Sequence, residues 1–169
     1  GGGKVLGSVR FPLGTPDFSS YLLQAQASGA QIVALASAGA DTINAIKGAS
    51  EFGLSVDGRQ KVATLLNFIT DVHGMGLEQA QGLLLSTAYY WNQDDESREF
   101  GRRFFERTQR MPTMVQAGMY SAAMHYLRSI EAEGTDDATR VMAKMKATPI
   151  DDFFSRGGTI RADGLHVHD

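Results

Sequence analysis

The residues best suited to bind a small molecule stand directly after a run of apolar residues. Ser37, Ala38 and Gly39 follow the apolar residues 32–35 and precede a segment with helical spacing. Small residues at such a junction leave the first backbone N–H groups of the helix open to an anion, and a carboxylate is the group that we expect there. A tight turn also requires small residues, and the sequence favours neither interpretation over the other.

Aromatic residues supply a second candidate binding group. Tyr89 and Trp91 close a predicted strand over residues 82–90, and alternate residues of a strand point in the same direction. Trp91 is the single tryptophan of the chain, and an aromatic ring with a polar N–H suits a lid over a small molecule. The competing interpretation is that both rings are simply buried in a core.

Motifs for catalysis and for metal binding are missing from the sequence. No glycine-rich nucleotide motif follows a strand, no phosphate-binding loop occurs, and no serine, histidine and acid are arranged as a nucleophile with its base. We therefore predict a protein that is not an enzyme, with no catalytic residue and no cofactor. His166 and His168 would share a strand face, but no carboxylate is placed to complete a site, so we predict no metal.

Composition narrows the class of protein further. The chain has 169 residues, of which 43% are hydrophobic and 21% are charged, which is enough to bury a core. A net charge of -3 without any basic block argues against nucleic acid as a partner. No apolar run is long enough to span a bilayer. The chain opens on Gly1 without a methionine, and we expect it to be part of a longer protein.

Residues 4–90 show the alternation of strands and helices that is typical of an α/β sheet. Strands are predicted over residues 4–11, 32–35, 61–68 and 82–90, the second of them covered on both faces. Helices are predicted to begin at caps Asp17 and Asp41 and to end at Gly29 and Gly53. A turn at residues 58–60 leads into the third strand, and a short third helix is predicted over residues 75–81. This order predicts a doubly wound parallel sheet whose strand ends, near Phe11, Ser37, Phe68 and Tyr90, meet at one edge.

After Trp91 the pattern changes to three helices without a strand between them. Asp94-Asp95-Glu96 puts acid in the first turn of the first helix, Thr113 opens the second, which Gly134 ends, and Thr135-Asp136-Asp137 caps the third. Such helices do not continue a doubly wound sheet and need another surface to cover. The expected boundaries are residues 1–93 for the sheet, 94–148 for the helices and 149–169 for a loop with a small hairpin. His73 is predicted in a loop and His125 in a helix.

Several segments, in this order, resemble the second lobe of a periplasmic solute-binding protein of the leucine/isoleucine/valine-binding type, which serves ABC importers. They are Asp17-Phe18-Ser19-Ser20, Ala49-Ser50-Glu51-Phe52-Gly53-Leu54, Gly82-Leu83-Leu84-Leu85, Pro112-Thr113 followed by Ala117-Gly118-Met119-Tyr120-Ser121-Ala122, Gly157-Gly158-Thr159-Ile160-Arg161-Ala162-Asp163-Gly164, and His166-Val167-His168-Asp169. Each is weak alone, and the specificity lies in their order over nearly the whole chain.

The resemblance implies one α/β lobe of a type I periplasmic binding protein, with extra helices that belong to an absent first lobe. It implies ligand binding in a cleft between two lobes, a membrane permease as partner, and a location in the periplasm or on a lipid anchor outside the cell. It also places Phe68, Thr70 and Asp71 at the cleft edge, where Asp71 could pair with a ligand amino group, although capping of a helix is the interpretation that we favour.

The expected ligand is therefore a small carboxylate, such as a branched-chain or other amino acid, an amide or an aromatic acid. The expected binding residues are Ser37, Ala38, Gly39, Phe68, Thr70, Asp71, Tyr89 and Trp91. Two alternatives stay open at this point. The same fold also serves as the ligand-sensing domain of receptors and transcriptional regulators, and an unrecognised α/β enzyme is the third hypothesis.

Overall fold

A computed structural model describes residues 2–54 and 60–168 of the chain. It divides the chain into two compact units, Gly1–Thr87 and Ala88–Asp169. The two units are described in turn. None of the helices in the described part of the chain is long and apolar enough to cross a membrane.

The first unit alternates helices and strands. Its elements are α1 (Ser19–Ala27), β1 (Ile32–Leu35), α2 (Gly39–Glu51), β2 (Lys61–Thr64), α3 (Ile69–Met75) and β3 (Leu84–Leu85). The strands form a parallel sheet in the order β1-β2-β3, with Val33 opposite Val62 and Thr64 opposite Leu85. A parallel sheet whose strands alternate with helices confirms the predicted α/β class.

The core of the first unit joins α1 and α2 to the sheet. Phe18 and Leu22 pack with Ala45, Ala49 and Val62, and all five side chains are buried. Gly48 allows this close packing, because a Cβ atom there would lie 2.8 Å from Leu22 Cδ1. The end of α2 adds Leu54, which lies behind the left-handed Gly53 and donates its amide to Ala49 O. This is the predicted glycine stop of the helix.

Two predicted elements of the first unit are wrong, and so is the predicted position of His73. Residues 4–11 are not a strand: they lack regular structure, residues 4–10 are exposed, and Gly7 interrupts their apolar pattern. The short helix is α3 (Ile69–Met75) instead of residues 75–81, because Gly76 adopts φ 95° and ends it. His73 therefore lies in a helix, whereas the prediction for His125 is confirmed. The predicted turn at residues 58–60 lies largely outside the described residues.

The strands are also shorter or less covered than predicted. The fourth strand is reduced from residues 82–90 to Leu84–Leu85, because its neighbour β2 ends at Thr64 and offers no further partner. The third shortens from residues 61–68 for a related reason, since Asn67 binds the Phe68 amide and the chain turns into α3. β1 is not covered on both faces: exposure alternates along the strand, with Val33 and Leu35 packed on the core and Ile32, on the opposite face, 57% exposed.

The second unit is mainly helical. It contains α4 (Asp95–Thr108), α5 (Met114–Glu133), α6 (Ala138–Ala147) and an antiparallel hairpin of β4 (Thr159–Ile160) and β5 (His166–Val167). The predicted helix starts at Thr113 and at residues 135–137 are confirmed, and the structure shows that Asp94 is a cap rather than part of the first turn. Asp94, Thr113 and Asp137 accept hydrogen bonds from the amides of Ser97, Val115 and Arg140, respectively, and the left-handed Gly134 ends α5.

An aromatic cluster holds the second unit together. Phe100 of α4 stacks on Phe153 with ring centroids 4.3 Å apart, and Tyr89 meets both rings edge-on. Ala117 of α5 is fully buried against this cluster. Offset and edge-on contacts of this kind stabilise a core beyond the area that they bury. The helices after Trp91 thus form a unit with a core of its own.

Candidate functional site

The turn between β1 and α2 leaves the start of the helix open. Ala38 precedes the helix with extended backbone angles and has no side chain that could accept a hydrogen bond from the first amides. Gly39 opens the helix at φ 59°, a conformation that disfavours residues with a Cβ atom. The Ser37 hydroxyl lies 2.8 Å from Thr42 Oγ1, which fixes the turn. The predicted tight turn is therefore confirmed, and no side chain among the described residues caps the helix start, whereas binding of a carboxylate there stays a prediction.

Asp41 does not cap α2, contrary to the sequence prediction. Its side chain is 5% exposed, and its Oδ2 atom accepts a hydrogen bond from the Gly14 amide at 3.1 Å. The reason is the position of the residue: Asp41 lies inside the first turn, where a carboxylate complements the helix dipole, while Ala38 occupies the cap. This bond ties the loop of residues 12–16 to the start of α2 and so places the exposed Leu13 beside the turn.

The end of β2 carries the second predicted group. Phe68 is half-buried and Thr70 is exposed, and both follow the strand at the start of α3. The Asp71 carboxylate accepts a hydrogen bond from the Phe68 amide through Oδ2 at 2.9 Å. A carboxylate that bonds back to the amide before the helix is the second half of a capping box. The capping interpretation of Asp71 is confirmed.

Sequence reasoning missed Asn67. Its side chain is 1% exposed, its Oδ1 atom accepts from the Phe68 amide, and its Nδ2 atom has no hydrogen-bond partner in the described part of the chain. A buried donor of this kind costs free energy unless an acceptor reaches it. The available signal was a polar residue after the apolar pair Leu65-Leu66, immediately before the helix start.

The sheet topology brings the turn after β1 and the loop after β2 to the same edge of the sheet. β1 and β2 are parallel neighbours, with Leu35 opposite Thr64, and the turn of Ser37 and the loop of Phe68 each follow the carboxyl end of their strand. Ligands of open parallel sheets bind at that edge. Ser37, Ala38, Gly39, Phe68 and Thr70 therefore lie at the same side of the sheet, as the sequence predicted. Whether they touch a ligand stays a prediction.

Tyr89 belongs to the aromatic cluster of the second unit and lies outside any strand. Its ring is 3% exposed, and its hydroxyl donates to Ser97 O at 3.1 Å. Burial, together with the nearby Asp94 carboxylate, raises the pKa of Tyr89 to about 12. The packing interpretation accounts for these contacts, and a ligand-binding role remains only a prediction.

Trp91 is placed differently. It is half-buried, it packs against Gly101, and its Nε1 atom is buried without a hydrogen-bond partner among the described residues. Its Cβ atom lies 3.3 Å from the position that a Cβ of Gly101 would occupy, which explains a glycine at that position of α4. An indole N–H normally finds an acceptor when it is buried. Trp91 thus combines a packed ring with an unsatisfied donor.

The second unit also contains an apolar groove, defined here as the α4–α5 groove, with a volume of about 470 Å³. Phe100, Phe104, Val115, Met119 and Tyr120 supply its apolar walls. Arg103 and Arg107 supply cations, and the Arg103 guanidinium lies 6.0 Å from the centre of the Tyr120 ring. Met119 is 69% exposed in this groove.

The described residues contain no metal centre. Among residues 2–54 and 60–168, no group of three or more histidine, cysteine, aspartate or glutamate side chains is close enough to hold an ion. His166 and His168 do lie side by side, with ring centroids 4.9 Å apart. The structure thus defines a parallel α/β sheet with loops after β1 and β2 at the edge where ligands of open sheets bind.

Comparison with known proteins agrees with this class. A family model described as "Periplasmic binding protein" matches residues 1–169. A crystal structure of a periplasmic binding protein from Burkholderia mallei shares 51% identity with a TM-score of 0.88, over 99% of this chain and 44% of that one. A branched-chain amino acid ABC transporter periplasmic ligand-binding protein from Burkholderia xenovorans LB400 shares 48% identity with a TM-score of 0.89, over 99% and 44%.

A third solved structure is more distant. The solute-binding protein of an ABC transporter from Rhodopseudomonas palustris HaA2, in complex with p-hydroxybenzoic acid, shares 25% identity with a TM-score of 0.81 over 96% of this chain and 45% of that one. A search of curated proteins finds no significant match. The chain belongs to the periplasmic binding protein family, as the sequence resemblance indicated. It spans less than half the length of these relatives.

Proposed function

We propose that this chain is the second lobe and C-terminal part of an extracytoplasmic substrate-binding receptor of an ABC importer. The observation that carries the proposal is the 48% identity, over 99% of the chain, to a branched-chain amino acid ABC transporter periplasmic ligand-binding protein. Its partners are then a small-molecule ligand and a membrane permease, and its location is the periplasm or a lipid anchor outside the cell. Its mechanism is closure of two lobes around the ligand.

The proposed ligand is a small carboxylate. Branched-chain amino acids and p-hydroxybenzoic acid, the compounds associated with two of the relatives, share a carboxylate group. The uncapped start of α2 is the part of the described sheet edge that suits this group, because Ala38 leaves the first amides open and the helix dipole favours an anion. Ser37 and Gly39 complete this anion-binding turn in the proposal.

Phe68, Thr70 and Asp71 are proposed to contact the rest of the ligand. Asp71 uses Oδ2 for the Phe68 amide, and its second carboxylate oxygen is the one proposed to pair with a ligand ammonium. Tyr89 and Trp91 complete the proposed set. Trp91 is the stronger of the two because its buried Nε1 atom has no partner among the described residues.

The α4–α5 groove is proposed to be covered by the first lobe of the full-length protein. Val115 is 53% exposed and Met119 is 69% exposed along one face of α5, and burial of such side chains drives association. The chain spans 44% of each of the two Burkholderia relatives, which leaves a large part of such a protein to supply the cover. Residues 94–148 are thus proposed to return to that lobe, and residues 149–169 to follow as a crossing segment with a hairpin.

The test of ligand class is calorimetry of the full-length protein with a panel of amino acids, amides and aromatic acids, followed by the variant A38D. Ala38 has the backbone angles of a helix cap, so the new carboxylate satisfies the free amides and repels an anion. We expect carboxylate affinity to fall at least about tenfold while the melting temperature is kept or raised, since a cap contributes about 1 kcal/mol.

The matched control is A38N, which caps the helix without a charge and should weaken binding less than A38D. Unchanged affinity in A38D would exclude the α2 start as the carboxylate site. Turnover of a compound in the panel, without binding of any carboxylate, would overturn the receptor function itself and favour an enzyme.

Footprinting tests the cover of the α4–α5 groove. We expect Met119 in the folded full-length protein to be oxidised by peroxide several-fold more slowly than in the unfolded protein, because the first lobe excludes solvent from it. Oxidation at the unfolded rate would show that the groove stays open.

A further inference from the structure

His166 holds the β4–β5 hairpin against a buried serine, and His168 lies beside it. The Nε2 atom of His166 lies 3.0 Å from Ser155 Oγ, and Ser155 is 1% exposed. Gly158 lies between them: a Cβ atom there would be 2.0 Å from Ser155 Oγ and 2.6 Å from His166 Nε2. Only a glycine therefore fits beside this contact, which packs the backbone directly against the hydroxyl and the imidazole.

The surroundings of His166 disfavour a positive charge. Its ring centroid lies 4.9 Å from that of His168 and 6.4 Å from that of Phe154. His168 in turn lies 5.0 Å from the Phe154 ring. Two neighbouring imidazoles beside an apolar ring repel each other when both are protonated.

Other elements do little to stabilise a positive charge on His166. His125 of α5 also opposes a charge on His166, and its Nε2 atom is bonded to Met145 O. Asp152 favours the charge, but its carboxylate already accepts hydrogen bonds from Ser121 Oγ and from the amides of Phe154 and Ser155. Lys146 brings a further cation to the hairpin, where it donates to Ala162 O at 2.7 Å.

We propose that His166, His168 and Ser155 form an acid-sensitive latch, which docks the β4–β5 hairpin on the loop of residues 151–158 at neutral pH and releases it in mild acid. When His166 is neutral, its Nε2 atom can accept the Ser155 hydroxyl proton. Protonation of that nitrogen turns the acceptor into a donor inside a half-buried contact, so the Ser155 hydroxyl has to reverse its role, and it places a cation beside a second imidazole. The side-chain attachment of the hairpin to the loop is thereby weakened.

The direction of the pH effect follows from the pKa of His166. Burial, followed by repulsion from His168, lowers this pKa from its ordinary value of 6.5. A group with a lowered basic pKa binds fewer protons in the folded state, so docking is complete above pH 6.5 and weakens as the pH falls from there through the lower folded pKa.

Hydrogen exchange of the full-length protein tests the latch. Exchange of the peptide that contains residues 159–168 is measured at about pH 7.5 and about pH 5.5, with times scaled for the intrinsic rate. We expect this peptide to lose protection several-fold more than a peptide from α5 does. In the variant H166Q, which cannot be charged, that difference between the two pH values should disappear.

The control is H73Q, because His73 is exposed and lies in the other unit, and it should keep the wild-type response. Equal protection at both pH values, or an unchanged pH response in H166Q, would overturn the latch. If H166Q fails to fold, side-chain NMR titration of wild-type His166 decides, and a pKa at or above the ordinary value would overturn the proposal. None of these readouts depends on ligand binding, so the latch and the receptor function stand or fall separately.

Discussion

The Asp41 carboxylate accepts a hydrogen bond from the Gly14 amide across 27 residues of sequence, at 3.1 Å. The carboxylate is buried and lies in the first turn of α2, and the amide belongs to the loop that precedes α1. One side chain thereby fixes the position of that loop beside the proposed carboxylate-binding turn. The bond connects local helix electrostatics to the shape of the candidate site.

Replacement of Asp41 should loosen this loop. D41A removes the acceptor and leaves the Gly14 amide unpaired, so we expect a loss of about 1–3 kcal/mol in the free energy of unfolding, measured by urea denaturation. D41N keeps an acceptor oxygen at the same place and should lose less. An equal loss in both variants would show that the negative charge, rather than the hydrogen bond, is the stabilising feature.

Asp94 should stabilise α4 in a pH-dependent way. The backbone hydrogen bond from Ser97 lowers the pKa of Asp94 below its ordinary value of 3.8, with help from Arg156 and Arg98. The stabilisation is present above that value and is lost as the pH falls from it through the lower folded pKa. D94A should cost about 1 kcal/mol at neutral pH and less in acid, as denaturation at several pH values would measure.

Asp95 offers the matched control for Asp94. It is the next acid of the same helix turn, but it pairs with Arg98 at the surface and does not cap the helix. D95A should therefore change stability by no more than about 0.3–1 kcal/mol. A loss in D95A as large as that in D94A would contradict the capping role of Asp94.

Tyr89 should ionise last among the five tyrosines. Its pKa of about 12 in the folded state exceeds the ordinary value of 10.0, so its contribution to stability is present below pH 10.0 and is lost as the pH rises toward 12. Absorbance titration of tyrosinate should show a late component that Y89F removes. The variant also loses the hydrogen bond to Ser97 O and should be less stable by about 0.5–1.5 kcal/mol.

Tyr90 is the natural comparison, because it is adjacent and 43% exposed. In Y90F the late component of the absorbance titration should persist. If the late component disappeared in Y90F instead of Y89F, the assignment of the raised pKa to Tyr89 would be wrong.

Ser121 should anchor the loop that precedes the hairpin. Its hydroxyl donates to Asp152 Oδ2 at 2.7 Å, and the side chain is 1% exposed. S121A leaves one oxygen of the carboxylate without this donor, and we expect a loss of about 1–3 kcal/mol in urea denaturation. Ala122 and Ala123 occupy exposed neighbouring positions, so A122S is a suitable control and should be close to neutral.

Local chemistry made much of the fold predictable. The strand at Ile32–Leu35, the glycine stop of α2 at Gly53, the start of α5 at Thr113 and the cap of α6 within residues 135–137 are properties of short stretches of chain, and each was identified from residue types and spacing. The order of motifs was likewise enough to indicate the family, because that order is written in the sequence.

Two of the disagreements depend on pairing with distant residues. Residues 82–90 have a strand-like composition, yet only Leu84–Leu85 pair, because β2 ends at Thr64. Asp41 was predicted to be a cap, but its carboxylate accepts a hydrogen bond from the amide of Gly14, 27 residues away. Neither partner is visible in the local pattern.

The sequence by itself determined the helix ends, the α/β class and the family, since these depend on interactions between residues close in the chain or on motif order. Only the tertiary structure decided which strands pair and that His166 contacts Ser155. It also decided that the Tyr89 ring is buried in a core, whereas the buried Trp91 N–H has no hydrogen-bond partner among the described residues. Those outcomes depend on burial and on contacts between segments far apart in sequence, which no local pattern encodes.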